Sequence, residues 1–320
     1  MHEFPTGVLG VSTRLRVWPR PLVRGDLVTV VAPSGPVDPV RLRQGAEIIS
    51  SWGLTVRYGS SVLTNHEQLT YLAGDDRLRA ADFTAAWNDP TTAAVWAARG
   101  GYGAQRMVDL IDFDALRLAG PRHLVGFSDI TALHSRIGRE LGQVTVHGPV
   151  LGSVGQLTEP ENVAALRQLL MGSPPPQTTL LEGRAVRPGS AEGRLWGGNL
   201  ALLASDIGVE PVPDEPVIMI IEDTGEDAYR VDRMLTQLLR AGWLARLTGV
   251  LVGDITGSQP SGLLEEVVVD RLSGLGVPLV VDVPVGHGRR NLALPLGAQV
   301  RLEADRTRGT LRLGSPPAVA

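Results

Sequence analysis

The sequence predicts an α/β protein of two domains, the first built on an open parallel sheet. Three observations carry this expectation. A chain of 320 residues is long enough for about two domains at ~150 residues each. Apolar, β-branched runs such as "DLVTVVAPSGPV", "AAVWAARGGYG" and "HLVGFSD" are each followed by a helical pattern, and that alternation builds parallel sheets with helices on their faces. The texture then changes across "MGSPPPQTTLLEGRAVRPGSAEG", rich in Pro, Gly and Ser, before a second set of strands begins.

Taken in order, residues 1–24 have weak periodicity and several Pro and Arg, and are expected to form an N-terminal extension or mobile arm. The first domain is expected over 25–165. Its strand "DLVTVVA" breaks at Ala-Pro-Ser-Gly-Pro, and the helix "PVRLRQGAEIISSWG" closes on Gly53. "LTVRYGSSV" reads as the second strand and "DDRLRAADFTAAWND" as an amphipathic helix. "AAVWAA" leads through a glycine loop to "AQRMVDLI", and "HLVG" leads through a turn to "ITALHSRIGREL". "VTVHGPV" is the next strand. A linker is expected over 166–194 and a second domain over 195–314, closing with the hairpin pattern "AQVRLEADRTRGTLRL".

Composition narrows the function. Hydrophobic residues make up 43% and charged residues 20%, an ordinary globular balance. The formal net charge is −4, every cation other than His is Arg, and there is no basic tract, so neither nucleic acid nor a membrane surface is the expected partner. The absence of Cys excludes disulfides, thiolate catalysis and cysteine zinc sites, and favours a cytoplasmic location. No apolar run reaches the ~18 residues of a membrane span, and the N-terminus does not read as a secretory signal. The His residues show no ligand spacing, so no metal and no cofactor are expected.

In open α/β sheets, ligands bind beyond the carboxyl ends of the strands. Four such ends carry chemistry here. In Arg99-Gly100-Gly101-Tyr102-Gly103, glycines before a helix leave N–H groups open, either as a tight turn or as an oxyanion hole. Ser128, in "GFSD", stands at a strand-to-helix corner, where it is either a helix cap or a nucleophile raised on a turn. The elbow pattern's second glycine is replaced by Ile130, while the Asp129 N–H lies where an elbow places an oxyanion donor. Glu222-Asp223 ends "VIMIIEDTGED" and offers an acid that either caps a helix, a task for which Asp227 is better placed, or orients an imidazole. His147 and His287 both sit where a strand gives way to a glycine-containing loop, and periodicity does not separate them. Together, a serine, an acid and a histidine at strand ends suggest acyl transfer.

Seven motifs in order, "VVAPSGPV", "AARGGYGAQRMVDLIDFDAL", "HLVGFSDITALH", "VTVHGPV", "GRLWGGNLALL", "IIEDTGEDAYRVDRMLTQLL" and "VPVGHGRRNLALPLGAQVRL", resemble the LD-carboxypeptidase family of muramoyltetrapeptide carboxypeptidases and microcin C self-immunity proteins. The resemblance runs from about Arg20 to Leu313. It implies a flavodoxin-like N-terminal domain and a smaller, β-rich C-terminal domain, with the active site between them and a homodimer as the assembly. It implies a Ser128–Glu222–His287 triad, with the N–H groups of Gly101 and Asp129 as the oxyanion hole. Gly100, Tyr102, His147, Trp196 and Asn199 stand as candidate substrate contacts. The implied reaction releases a terminal D-Ala from a muropeptide during peptidoglycan recycling. The alternative is a microcin-type hydrolase of aminoacyl-nucleotide amides, which requires an aromatic surface for the base; 151–193 holds no Trp, Tyr or Phe, and Trp196 is the first aromatic after it. A peptide-binding protein without catalysis would need a disabled triad, and all three residues are present.

Overall fold

The computed structural model describes residues 16–258 and 261–314. The first half runs β1 (Leu27–Val31), α1 (Pro39–Ser51), β2 (Thr55–Tyr58), α2 (Asp76–Asn88), β3 (Thr92–Ala97), α3 (Ala104–Val108), α4 (Phe113–Ala119) and β4 (His123–Gly126). A short 3-10 turn (Ser128–Ile130) then leads into α5 (Thr131–Leu141), β5 (Thr145–His147), α6 (Val154–Leu157) and α7 (Pro160–Leu170). The second half runs β6 (Thr179–Arg187), β7 (Gly189–Asn199), α8 (Leu200–Ser205), β8 (Val217–Thr224), α9 (Ala228–Arg240) and β9 (Leu247–Thr256). It continues with α10 (Ser261–Leu272), β10 (Leu279–Val281), β11 (Leu294–Leu296), β12 (Gln299–Ala304) and β13 (Arg308–Leu313).

The expected α/β fold class is present. β2, β1, β3, β4 and β5 form a parallel sheet in that spatial order. Alternation along the strands splits its core by face. Val28, Val30, Trp96 and Val125 enter one apolar cluster, and Val31, Val95, Ala97 and Leu124 enter the other. Seven of the other strands close a barrel in the order β10-β6-β13-β12-β7-β8-β9. The β7–β8–β9–β10 arc of this barrel is parallel.

Three features depart from the sequence reading. First, the second half returns to the first sheet: β11 adds to its edge antiparallel to β5, with Leu294 opposite His147. Three residues pairing across about 150 positions leave no local signal. Second, the stretch read as a linker holds the end of α7, all of β6 and the start of β7. Its glycines serve barrel closure: a Cβ at Gly183 would lie 2.5 Å from the Val281 carbonyl oxygen. Third, residues 16–24 of the expected arm are pinned to the body. Val17 N–H donates to Gly142 O at 2.8 Å, Val144 N–H donates to Val17 O at 2.9 Å, and Leu22 is buried. The rest of that expected arm lies outside the described residues.

Candidate active site

Three chain segments converge at the carboxyl end of the first sheet. β4 delivers Ser128, β8 delivers Glu222, and the loop after β10 delivers His287. Ser128 Oγ and His287 Nε2 are 3.1 Å apart, and His287 Nδ1 lies 2.7 Å from Glu222 Oε2. The line is thus hydroxyl, imidazole, carboxylate, with the last member fully buried.

Ser128 does not cap a helix with its side chain; neither the 3-10 turn nor α5 has a side-chain cap bond. Instead its backbone is left-handed, at φ 63°, a conformation that costs non-glycine residues of order 1–3 kcal/mol and clusters at functional sites. The room for this corner comes from Gly126, where a Cβ would lie 2.9 Å from Ile130 Cγ1 and 3.1 Å from Ala97 Cβ. Gly100 lies against the serine: a Cβ there would approach Ser128 Cβ to 2.9 Å and Oγ to 3.1 Å. Gly101 follows at φ 113° in the exposed loop before α3. The Asp129 N–H belongs to the first turn of a helix, where donors lack intrahelical partners.

The Asp129 side chain has work of its own. Its Oδ2 accepts the Ser34 hydroxyl at 2.6 Å and the Ala104 N–H at 2.7 Å. It thereby ties the loop after β1 and the start of α3 to the serine corner. Burial pushes this carboxyl above its usual range, and the hydrogen bonds it accepts offset part of the rise.

Glu222 and Asp223 point to opposite faces of β8, as alternation requires. Asp223 accepts hydrogen bonds from Asn199 Nδ2 (2.9 Å), Ala201 N–H (2.9 Å) and Thr224 N–H (2.8 Å), and so anchors α8. Glu222 faces His287, and its Oε1 has no hydrogen-bond partner among the described residues. Burial alone would lower the His287 pKa. The Glu222 hydrogen bond and charge, with Asp223 and Asp254 behind them, outweigh it and raise the pKa above the ordinary 6.5.

The other histidines separate from the site. His147 is fully buried, neither ring nitrogen has a partner among the described residues, and burial lowers its pKa to about 3. The Phe127 ring packs against both histidines, 5.9 Å from His147 and 4.9 Å from His287. His134 bonds Thr145 Oγ1 and Gly126 O and is likewise buried. Of the remaining candidates, Tyr102 is exposed and edge-on to Tyr71, with ring centroids 5.9 Å apart. Trp196 packs on Trp243, and the Asn199 side chain is spent on Asp223 and the Leu202 N–H. The sequence reading passed over Ser34, Gln156, Asn162, Asp254 and Asn291. Ser34 stands in the strand-end loop "APSGP" and Asp254 follows the apolar run "LTGVLVG", whereas Gln156, Asn162 and Asn291 carried no signal. Among the described residues no His, Asp or Glu cluster could hold a metal ion, and no helix is long and apolar enough to cross a membrane.

A hydroxyl, an imidazole and a buried carboxylate in line at the end of a sheet define the serine-hydrolase class. The chain belongs to the LD-carboxypeptidase family: the family's N-terminal domain matches residues 28–148 and its C-terminal domain residues 192–302. It is 44% identical over 302 residues to a Streptomyces coelicolor protein, covering 94% of this chain and 97% of that one. The murein tetrapeptide carboxypeptidase of Pseudomonas aeruginosa is 33% identical over 88% of this chain and 94% of its own. The crystal structure of muramoyltetrapeptide carboxypeptidase from Oxalobacter formigenes superposes with a TM-score of 0.79 at 25% identity, covering 91% of this chain and all of that one. The chain is therefore a serine peptidase of the LD-carboxypeptidase type.

Proposed function

We propose that the protein hydrolyses the amide between an L-centre and a terminal D-residue, releasing D-Ala from a muropeptide through a Ser128–His287–Glu222 acyl-enzyme. The observation that supports this reading is the unbroken line from Ser128 Oγ through His287 to Glu222, at 3.1 and 2.7 Å. The fold and the Pseudomonas relative support the substrate class.

His287 Nε2 takes the Ser128 proton as Oγ attacks the scissile carbonyl, forming the O–C bond. Glu222 holds the Nδ1 proton and stabilises the imidazolium. The oxyanion is bound by the N–H groups of Gly101 and Asp129, a contribution of roughly 3–4 kcal/mol per donor in serine proteases. The C–N bond breaks as His287 returns the proton to the leaving amine. Water, deprotonated by His287, then opens the ester and releases the shortened peptide. A soluble muropeptide points to a cytoplasmic enzyme, and the family resemblance to a homodimer.

The test is incubation with L-Ala-γ-D-Glu-diaminopimelate-D-Ala. Release of D-Ala is expected. A protein whose Ser128 reacts with a serine reagent but which frees no D-Ala, and instead cleaves an aminoacyl-nucleotide amide, would reassign the substrate.

A further inference from the structure

The loop that carries His287 has almost no regular structure, yet its backbone is bound on every side. Gly286 N–H donates to Asn291 Oδ1 at 3.1 Å, and Gly288 N–H donates to Asp254 Oδ2 at 2.8 Å. The Arg289 carbonyl accepts from Asn162 Nδ2 at 3.0 Å, and Asn291 N–H donates to Asn162 Oδ1 at 2.8 Å. Most telling, one amide group bridges the residues on either side of the histidine. Gln156 Nε2 donates to Gly286 O at 3.0 Å and to Gly288 O at 2.7 Å. An amide NH2 has two protons, so both are spent on the carbonyls that flank His287. Its own Oε1 accepts from Asn291 Nδ2 at 3.4 Å, and the Gln156 backbone carbonyl accepts from Asn162 Nδ2 at 3.0 Å. All three amides are buried.

Position gives this cluster its meaning. Gln156 lies on α6 and Asn162 on α7, in the half of the chain that carries Ser128, whereas Gly286, just before His287, comes 130 residues after Gln156. We propose that Gln156 is a positioning residue: its amide clamps the peptide groups before and after His287 and sets the ring on the line between Glu222 and Ser128. A ring in a loop has few restraints of its own, and a misplacement of about 1 Å can cost on the order of 100-fold in rate. Gly286, at φ 129°, lies so close to Glu222 that a Cβ there would approach the glutamate's Cβ to 3.2 Å. A small rotation of this loop therefore moves the imidazole off its acid. The inference rests on the reading of His287 as the base.

The experiment measures Ser128 phosphonylation by a fluorophosphonate, which reports the serine–histidine couple without any peptide substrate. The variants are Gln156→Met, which keeps the length without donors, and Gln156→Asn, which keeps the donors on a shorter stem. Each is compared with wild type and His287→Ala after thermal melting has established that it is folded. Gln156→Met is expected to label about 10–100-fold more slowly than wild type, with Gln156→Asn between them. The labelling pH profile is the second readout. The groups acting on the ring are Glu222 and Asp223 on β8, Asp254 on β9 and His147 on β5. A ring slipped from Glu222 loses the carboxylate that raises its pKa, so the profile's midpoint should fall. A merely structural amide would lower the melting temperature and leave rate and midpoint per folded molecule at wild-type values, which overturns the proposal. If Gln156→Met does not fold, wild-type rate and midpoint in Gln156→Asn overturn it equally. Labelling of His287→Ala as fast as wild type would instead refute the triad, and absent D-Ala release with normal labelling would refute only the substrate.

Discussion

Glu222→Gln should silence the enzyme without loosening it. The carboxylate is fully buried and gives one oxygen to His287 Nδ1 at 2.7 Å. An ionised acceptor requires the proton on Nδ1, which leaves the Nε2 lone pair facing Ser128 Oγ, 3.1 Å away. An amide can turn its NH2 toward Nδ1 instead. The proton then sits on Nε2, and the serine faces a donor that cannot take its proton. In chymotrypsin-like proteases the equivalent acid-to-amide change costs about 10⁴ in kcat. At 1.36 kcal/mol per tenfold, that is roughly 5.5 kcal/mol of transition-state stabilisation. Stability should move the other way or not at all, because a buried charge with a single hydrogen-bond partner carries a desolvation cost that its neutral isostere lacks. The pH dependence has a definite sign. In the proposed mechanism neutral His287 is the base, so activity should rise with pH through its pKa, which lies above the ordinary 6.5. Without Glu222, burial acts unopposed by its largest partner, and the acidic limb moves to lower pH. The assay is kcat/KM for D-Ala release from pH about 5 to 9 with a thermal melt of the same protein. Activity within tenfold of wild type, or an acidic limb that stays in place, would refute the reasoning.

Ser128→Ala and His287→Ala should each abolish turnover while leaving the fold intact, and the double variant should be no slower than either alone; additive losses in D-Ala release would separate the two residues. His147→Ala should cost less activity than His287→Ala, since the His147 ring is neutral, buried and bonded to neither Ser128 nor Glu222; equal losses at His147 and Ser128, with His287→Ala still active, would make His147 the base. Gly100→Ala should lower kcat by on the order of 100-fold, because its Cβ would land 2.9 Å from Ser128 Cβ; wild-type turnover in a folded variant would show that this loop yields freely.

Much of the fold was legible because it is local. The strands β1, β3 and β4 are apolar runs that give way within a few residues to glycine- or proline-containing loops, and the helix after β4 has a clear period. The barrel was not legible. Its closure depends on pairings such as Leu279 with Arg187 and Val300 with Gly193, which no window of sequence contains. The glycines that permit those approaches read as a flexible boundary. The site divides the same way. Ser128, Glu222 and His287 are visible as polar residues at strand ends, but choosing His287 over His147 needed the order of the family motifs. The structure adds what spacing could not: of the two rings it is His287 that bonds Ser128 and Glu222, and Asp223 is turned away toward α8. Gln156, Asn162 and Asn291 meet across about 130 residues and have no period that could announce them.

The left-handed backbone at Ser128 shows how the two halves of the chain share the cost of the site. A glycine at 128 would relieve the strain and remove the hydroxyl, so the fold holds a serine there by fixing everything around it. From the first half, Gly126 makes room for Ile130, Gly100 closes over the serine, and the Asp129 carboxylate anchors the turn to Ser34 and Ala104. From the second half, Thr131, one residue beyond the 3-10 turn, accepts the Asn199 N–H on its Oγ1 at 3.0 Å. Asn199 pairs in register with Glu222 at the end of β7. The turn that aims the hydroxyl is therefore bonded to the strand beside the one that supplies the acid. Any movement of the second half that carried Glu222 away would also pull on the corner that holds Ser128. The β11 strand, added to the edge of β5 a few residues after His287, ties the His287 loop to the same sheet. Ser128, His287 and Glu222 are thus each connected to the others by backbone or buried polar bonds, which allows a line built from distant parts of the sequence to keep hydrogen-bond distances.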